Sequence, residues 1–119
     1  TEVIKALPRA ISHPRGERVV EGAFFARARE EGNDLGYDTI AAAGNNATVL
    51  HWIRNNGTVN AGELLLLDAG VEADSLYTAD ITRTVPVKDV NDVFIAVDAS
   101  AVEVMVNGKW LSGRIYPTK

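Results

Sequence analysis

The stretch Leu64-Leu65-Leu66-Leu67-Asp68-Ala69-Gly70, followed by Asp80-Ile81-Thr82-Arg83-Thr84-Val85-Pro86-Val87, decides how this chain folds. Four consecutive leucines are apolar on both faces, the pattern of a central strand covered on its two sides. They run straight into Asp68-Ala69-Gly70, and a second strand is predicted over residues 81–87, beginning beside Asp80. A connection of this length can return the chain beside itself as a hairpin. Two carboxylates at the strand boundaries then come within a few ångströms of each other. Such a pair repels, and each member raises the other's pKa unless a cation lies between them. A divalent ion removes the conflict, and two ions bridged by carboxylates can activate water for hydrolysis. The alternative is that Asp68 and Asp80 cap turns or bond to nearby backbone.

Working outward, residues 2–10 read as a helix with Thr1 as its cap, interrupted at Pro8. His13-Pro14-Arg15-Gly16 reads as a loop that puts His13 on the surface. A longer helix is predicted over 17–31. Val20, Phe24 and Ala28 recur every four residues, Val19 and Ala23 widen the stripe, and Gly32 stands where a helix stops. Arg27, Arg29, Glu30 and Glu31 form its solvated face and end. From Asp34 the pattern turns to strands. Residues 39–43 are small and apolar, Gly44-Asn45-Asn46 is a turn, and 48–54 are expected as a strand with His51 on the face of Val49 and Ile53. Asn55-Asn56-Gly57 is a further turn, since Asn and Gly tolerate positive φ. Downstream, 93–97 and 101–106 are β-rich, Asn107-Gly108 is a hairpin dipeptide, and 109–115 supply a returning strand. The expected class is α+β, with helices first and a mainly antiparallel sheet extended by a C-terminal β-hairpin.

Composition narrows the function. A chain of 119 residues is one domain by size, and 46 % hydrophobic against 24 % charged residues excludes a disordered polar chain. The net charge of −4 offers no basic stripe, so nucleic acid is not an expected partner. No apolar run is long enough to span a bilayer, so a membrane is not one either. No signal sequence is expected, and the expected setting is cytoplasmic. Without cysteine there are no disulfides, thiolate ligands or cysteine nucleophile. With His13 and His51 the only histidines, any metal site rests on carboxylates, which suit manganese, magnesium or calcium better than structural zinc. Trp52 and Trp110 read as core or interface aromatics. Asn46-Ala47-Thr48 and Asn56-Gly57-Thr58 fit the short glycosylation pattern, with no sign of secretion beside it.

The run from Leu64 to Glu72, then Tyr77-Thr78-Ala79-Asp80-Ile81-Thr82-Arg83-Thr84, resembles the metal-binding hairpin of Xaa-Pro aminopeptidases, the aminopeptidase P branch of the methionine-aminopeptidase-like metallopeptidases. Further matched blocks are Glu31-Gly32-Asn33-Asp34-Leu35-Gly36-Tyr37, Ala43-Gly44-Asn45-Asn46-Ala47-Thr48 and Leu50-His51-Trp52. The likeness covers roughly residues 1–87, several blocks in order. It implies part of the pita-bread fold, with manganese or a similar divalent ion as cofactor and removal of an N-terminal residue preceding proline as reaction. Asp68 resembles the first aspartate ligand of the two-metal centre and Asp80 the bridging second. His51 resembles the histidine lining the substrate pocket, with a structural strand histidine as the alternative. Arg83 and Thr84 complete the motif as residues supporting the ligands. The family also uses a histidine and two glutamates further downstream. This sequence has no histidine after His51, and Glu103 is the one glutamate after Glu72.

Residues 92–119 depart from that pattern. Val97-Asp98-Ala99-Ser100-Ala101-Val102-Glu103-Val104-Met105-Val106-Asn107-Gly108, then Gly113-Arg114-Ile115-Tyr116-Pro117-Thr118, resemble the C-terminal β-sandwich strands of invertase- and levanase-type glycoside hydrolases. There Glu103 is a strand residue and not a sugar acid. The expectation is therefore two pieces, 1–87 and 88–119, in a recombined or designed chimera packed as one unit. The expected function is a catalytically inactive fragment retaining part of a dinuclear site. The alternatives are Xaa-Pro aminopeptidase activity completed by oligomerisation or a partner chain, and a non-catalytic interaction module. A peptide substrate is expected only if the site is completed. The tail strands are expected to pair with the exposed sheet edge, and a homo-oligomer through that edge is the competing arrangement.

Overall fold

The computed structural model describes residues 1–89 in full and the backbone of three later strands, Phe94–Val97, Ala101–Val106 and Lys109–Arg114. Helix α1 spans Glu2–Ile11 and helix α2 spans Gly16–Glu31. Pro8 lies inside α1 without ending it. Its missing N–H removes one bond to the preceding turn, but burial of Val3, Ala6, Leu7 and Ala10 along one face holds the helix together. The apolar stripe of α2 is as the spacing predicts, with Val20 and Ala28 buried and Gly32 at the stop, where its N–H donates to the Ala28 carbonyl.

Strands β1 (Asp34–Leu35), β2 (Ile40–Ala43), β3 (Leu64–Glu72) and β4 (Thr78–Pro86) form one antiparallel sheet. The leucine run is its centre: β3 pairs β1 and β2 along one side and β4 along the other. Alternation sorts β3 into two faces. Leu65, Leu67 and Ala69 point to the helices and pack with Val3, Leu7, Ala10 and Val20 in a common core. Leu66, Asp68 and Gly70 point the other way. Covering Leu65 fully is worth roughly 1.5–3 kcal/mol.

Two expectations change. Residues 48–54 are not a strand. A 3-10 helix over Gly44–Thr48 leads into irregular backbone, and His51 sits at φ 52, outside any ladder. Val49, Leu50 and Ile53 are exposed rather than lining a sheet face. The reason is tertiary, and lies in a buried carboxylate described below. The C-terminal hairpin also does not extend the first sheet. β5 (Phe94–Val97), β6 (Ala101–Val106) and β7 (Lys109–Arg114) form a separate three-stranded antiparallel sheet. Among the described residues β4 is thus left with one paired side, and eight of its nine residues are exposed. The β-branched alternation of 101–106 suits pairing with its sequence neighbours, whose short connections close at little entropic cost.

Among the described residues no helix is long and apolar enough to cross a membrane.

Candidate metal centre

Asp68 and Asp80 stand on the sheet face away from the helices. Neither is at a strand boundary as expected: both lie within strands, with Asp68 opposite Thr82 and Asp80 opposite Gly70. They are therefore diagonal neighbours on one face, as the hairpin reading required. What joins them is Tyr37, from the break between β1 and β2. Its hydroxyl lies 2.7 Å from Asp68 Oδ1 and also bonds Asp80 Oδ1. Two bonds to a single oxygen place the two carboxylates about 5 Å apart at most.

Backbone geometry makes that convergence feasible. Gly36 N–H donates to the Gly70 carbonyl at 2.8 Å, which tethers the β1–β2 break to β3. The Tyr37 ring then crosses over Gly70, where a Cβ would fall 2.4 Å from its Cε1. A glycine inside a strand marks such a close approach.

The cluster is rich in acceptors and poor in protons. A phenol has one hydrogen to give, so two ionised aspartates cannot both receive it. Among the described residues no basic side chain is paired with either aspartate. Tyr37 responds by holding its proton: partial burial first, then its bonds to Asp80 and Asp68, push its pKa well above the usual phenol value. A hard divalent cation fits this donor chemistry, because carboxylate oxygens are its preferred ligands and its charge removes their repulsion. The fit is partial. Among the described residues no third histidine, aspartate or glutamate joins the pair, and such ions take about six ligands.

The remaining residues divide by parity. Thr84, four positions beyond Asp80, shares its face and stands opposite Leu66. Arg83, three beyond, points to the opposite face, opposite Leu67, so it does not support the ligands as expected. It lines an apolar groove of about 780 Å³ between α1, α2 and the sheet, together with Phe24, Glu31, Ile81 and Val85, and its guanidinium donates to the Thr82 carbonyl at 2.8 Å. His51 is exposed on its loop. His13 is a surface residue as read, its Nδ1 accepting from Arg15 N–H at 3.0 Å.

A second polar cluster lies outside the residues the sequence pattern singles out. Glu17, in the first turn of α2, is fully buried. One carboxylate oxygen accepts from Ala43 N–H at 2.8 Å and Asn46 Nδ2 at 2.9 Å. The other accepts from Trp52 Nε1 at 3.0 Å and Gly57 N–H at 2.7 Å. These bonds override the strand pattern of 48–54 by drawing Trp52 within the segment, and Ala43, Asn46 and Gly57 on its two flanks, onto one carboxylate. The signal was available: Glu17 falls three positions before Val20, on the helix's apolar stripe. For Tyr37 the signal was Gly70, two residues past Asp68 in an otherwise strand-forming run.

Comparison with known proteins gives the family and the fold. Residues 1–107 match the sequence profile of metallopeptidase family M24. The chain belongs to that family. It is 58 % identical over 86 residues to Xaa-Pro aminopeptidase 1 of Streptomyces coelicolor, covering 72 % of this chain and 17 % of that protein. It is 59 % identical over 87 residues to Xaa-Pro aminopeptidase 2 of the same organism, covering 73 % and 18 %. Among solved structures, aminopeptidase P of Escherichia coli in a low-pH form superposes with a TM-score of 0.57 at 30 % identity, covering 73 % of this chain and 19 % of that one. Prolidase of Pyrococcus furiosus gives 0.59 at 27 % identity, covering 71 % and 25 %. This M24 chain thus has two helices and an antiparallel sheet of the pita-bread half-domain, and spans under a fifth of the curated relatives' length.

Proposed function

We propose that this chain carries the two-aspartate arm of a divalent-metal site of the Xaa-Pro aminopeptidase type. The observation that supports the reading is the convergence of Asp68 and Asp80 on one hydroxyl, on the sheet face the helices leave bare. Asp68 and Asp80 would hold the ion and Tyr37 would hold the two carboxylates apart, with Thr84 beside them. A divalent ion held there would supply Lewis-acid chemistry, activating a water and polarising a peptide carbonyl. His51, with Val49, Leu50 and Ile53 around it, would line the path of a peptide. Two carboxylates leave coordination incomplete. Hydrolysis of Xaa-Pro bonds is accordingly assigned to this site only when further ligands reach it from outside the described residues, and the chain alone is read as inactive.

The test is a calorimetric manganese titration with Asp80→Asn as control and light scattering to report mass. The expected result is weak binding by the wild type, reduced about tenfold or more in the mutant. Equal behaviour of the two would make both aspartates structural residues. A doubled mass would point to a second copy along the open side of β4. Turnover of an Xaa-Pro peptide by the chain with manganese would overturn the inactive reading.

A second proposal concerns residues 88–119 as a piece of separate origin. The independent sheet β5–β7 favours it, and the family match running to residue 107 weighs against it. An intact mass that departs from this sequence would sink it.

A further inference from the structure

Glu17 lies outside the proposed metal site, yet its bonds end on the segment that carries His51. Four donors fill the acceptor positions of its two oxygens, and they come from β2 (Ala43), the 3-10 helix (Asn46), the residue next to His51 (Trp52) and the turn at Gly57. Glu17 N–H in turn donates to the Gly57 carbonyl at 3.1 Å. The fit is close: a Cβ at Gly57 would fall 2.8 Å from Glu17 Oε2 and 2.4 Å from Asn46 Nδ2. A second fastening comes from buried Asn55, which donates to the Thr39 carbonyl and accepts from Ala41 N–H. Between these anchors the segment turns its apolar side chains outward. Leu50 is 84 % exposed, and Val49 and Ile53 about half so. Apolar burial therefore does not hold these side chains in place; the buried carboxylate holds the backbone from which they project.

We infer that Glu17 is the positioning residue of the 44–57 loop: through Trp52 and Gly57 it sets the backbone that presents His51, at φ 52, and its apolar neighbours to a peptide. This rests on the reading of His51 given above and adds the group that controls it. A carboxylate suits the task because only an acceptor on both oxygens satisfies four donors at once. In Glu17→Gln the amide nitrogen would face Trp52 Nε1 and Gly57 N–H, donor against donor, and release that side of the loop.

The experiment is nuclear magnetic resonance on the full chain, wild type against Glu17→Gln and Trp52→Phe. The probe is an alanyl-proline dipeptide at millimolar concentration. Three quantities are read: amide exchange at Gly57 and Ala43, the imidazole signals of His51 during the titration, and manganese affinity. In the wild type the two amides are protected and His51 shifts with dipeptide. In Glu17→Gln, Gly57 exchanges roughly tenfold faster or more and the His51 response is lost, while manganese affinity is unchanged. Trp52→Phe, which removes one donor beside His51, weakens the His51 response and keeps the fold; it decides the matter if Glu17→Gln does not fold. A His51 response unchanged in both variants overturns the proposal, as does a wild type whose His51 ignores the dipeptide. Manganese binding is independent of either result, so failure of the metal reading and failure of this one are told apart.

Discussion

Two carboxylate clusters in this chain solve opposite problems. Glu17 is buried and has four donors for its two oxygens. Asp68 and Asp80 share one phenol between them near the surface. The first is satisfied, so its energy goes into holding a loop. The second has one phenol proton for two carboxylates, which is the ground on which a cation is proposed there. A buried acid matched to its donors is architecture, and a cluster of acids that is not matched is a candidate for chemistry.

That contrast can be broken in several places. The largest effect is expected at Glu17→Gln, which should cost about 2–4 kcal/mol in urea unfolding because it sets donors against donors in a buried site. A neutral result would mean that the loop is held by Asn55 alone. Next is Gly70→Ala. Its new methyl meets the Tyr37 ring, and forcing the ring aside should cost about 1–2 kcal/mol and weaken manganese binding. Unchanged binding would show that Tyr37 does not set the spacing of the aspartates. Asp80→Asn should move stability the other way, by up to about 1 kcal/mol, since the amide adds a donor to an acceptor-rich group. A clear loss of stability would place Asp80 with Glu17 as a structural residue.

The smallest effect is alkaline. The Tyr37 pKa is raised in the folded chain, by partial burial first and then by Asp80 and Asp68. An unfolded phenol ionises near about 10, so above that pH the unfolded chain gives up its proton first. The stabilisation is complete below about pH 10 and is lost as pH climbs from there towards the higher folded value. Tyr37→Phe should flatten that part of the stability curve, and an unchanged alkaline slope would show that the phenol is not restrained.

Much of this was legible in the residues. The leucine run announced the central strand, the four-residue spacing of Val20, Phe24 and Ala28 the second helix, and the two aspartates their hairpin. Arg83 stands on the face away from the aspartates, as its count implies: three residues from Asp80 is an odd number, and odd offsets change sheet face. Residues 48–54 depart from the strand expectation for a different reason. Their alternation is strand-like, but Glu17 takes the indole N–H of Trp52 and the donors that flank the segment at Ala43, Asn46 and Gly57.

The sequence by itself determined the elements whose periodicity is local, the α+β order, the reliance on carboxylates in a chain without cysteine, and the family resemblance. Only the tertiary structure decided that Tyr37 stands between the aspartates, that the 44–57 loop is fastened to Glu17, and that β5–β7 pair among themselves. Hydrophobic period is written in neighbouring residues, whereas hydrogen-bond partners are chosen among all groups that folding brings within about 3 Å, and that choice has no period to read.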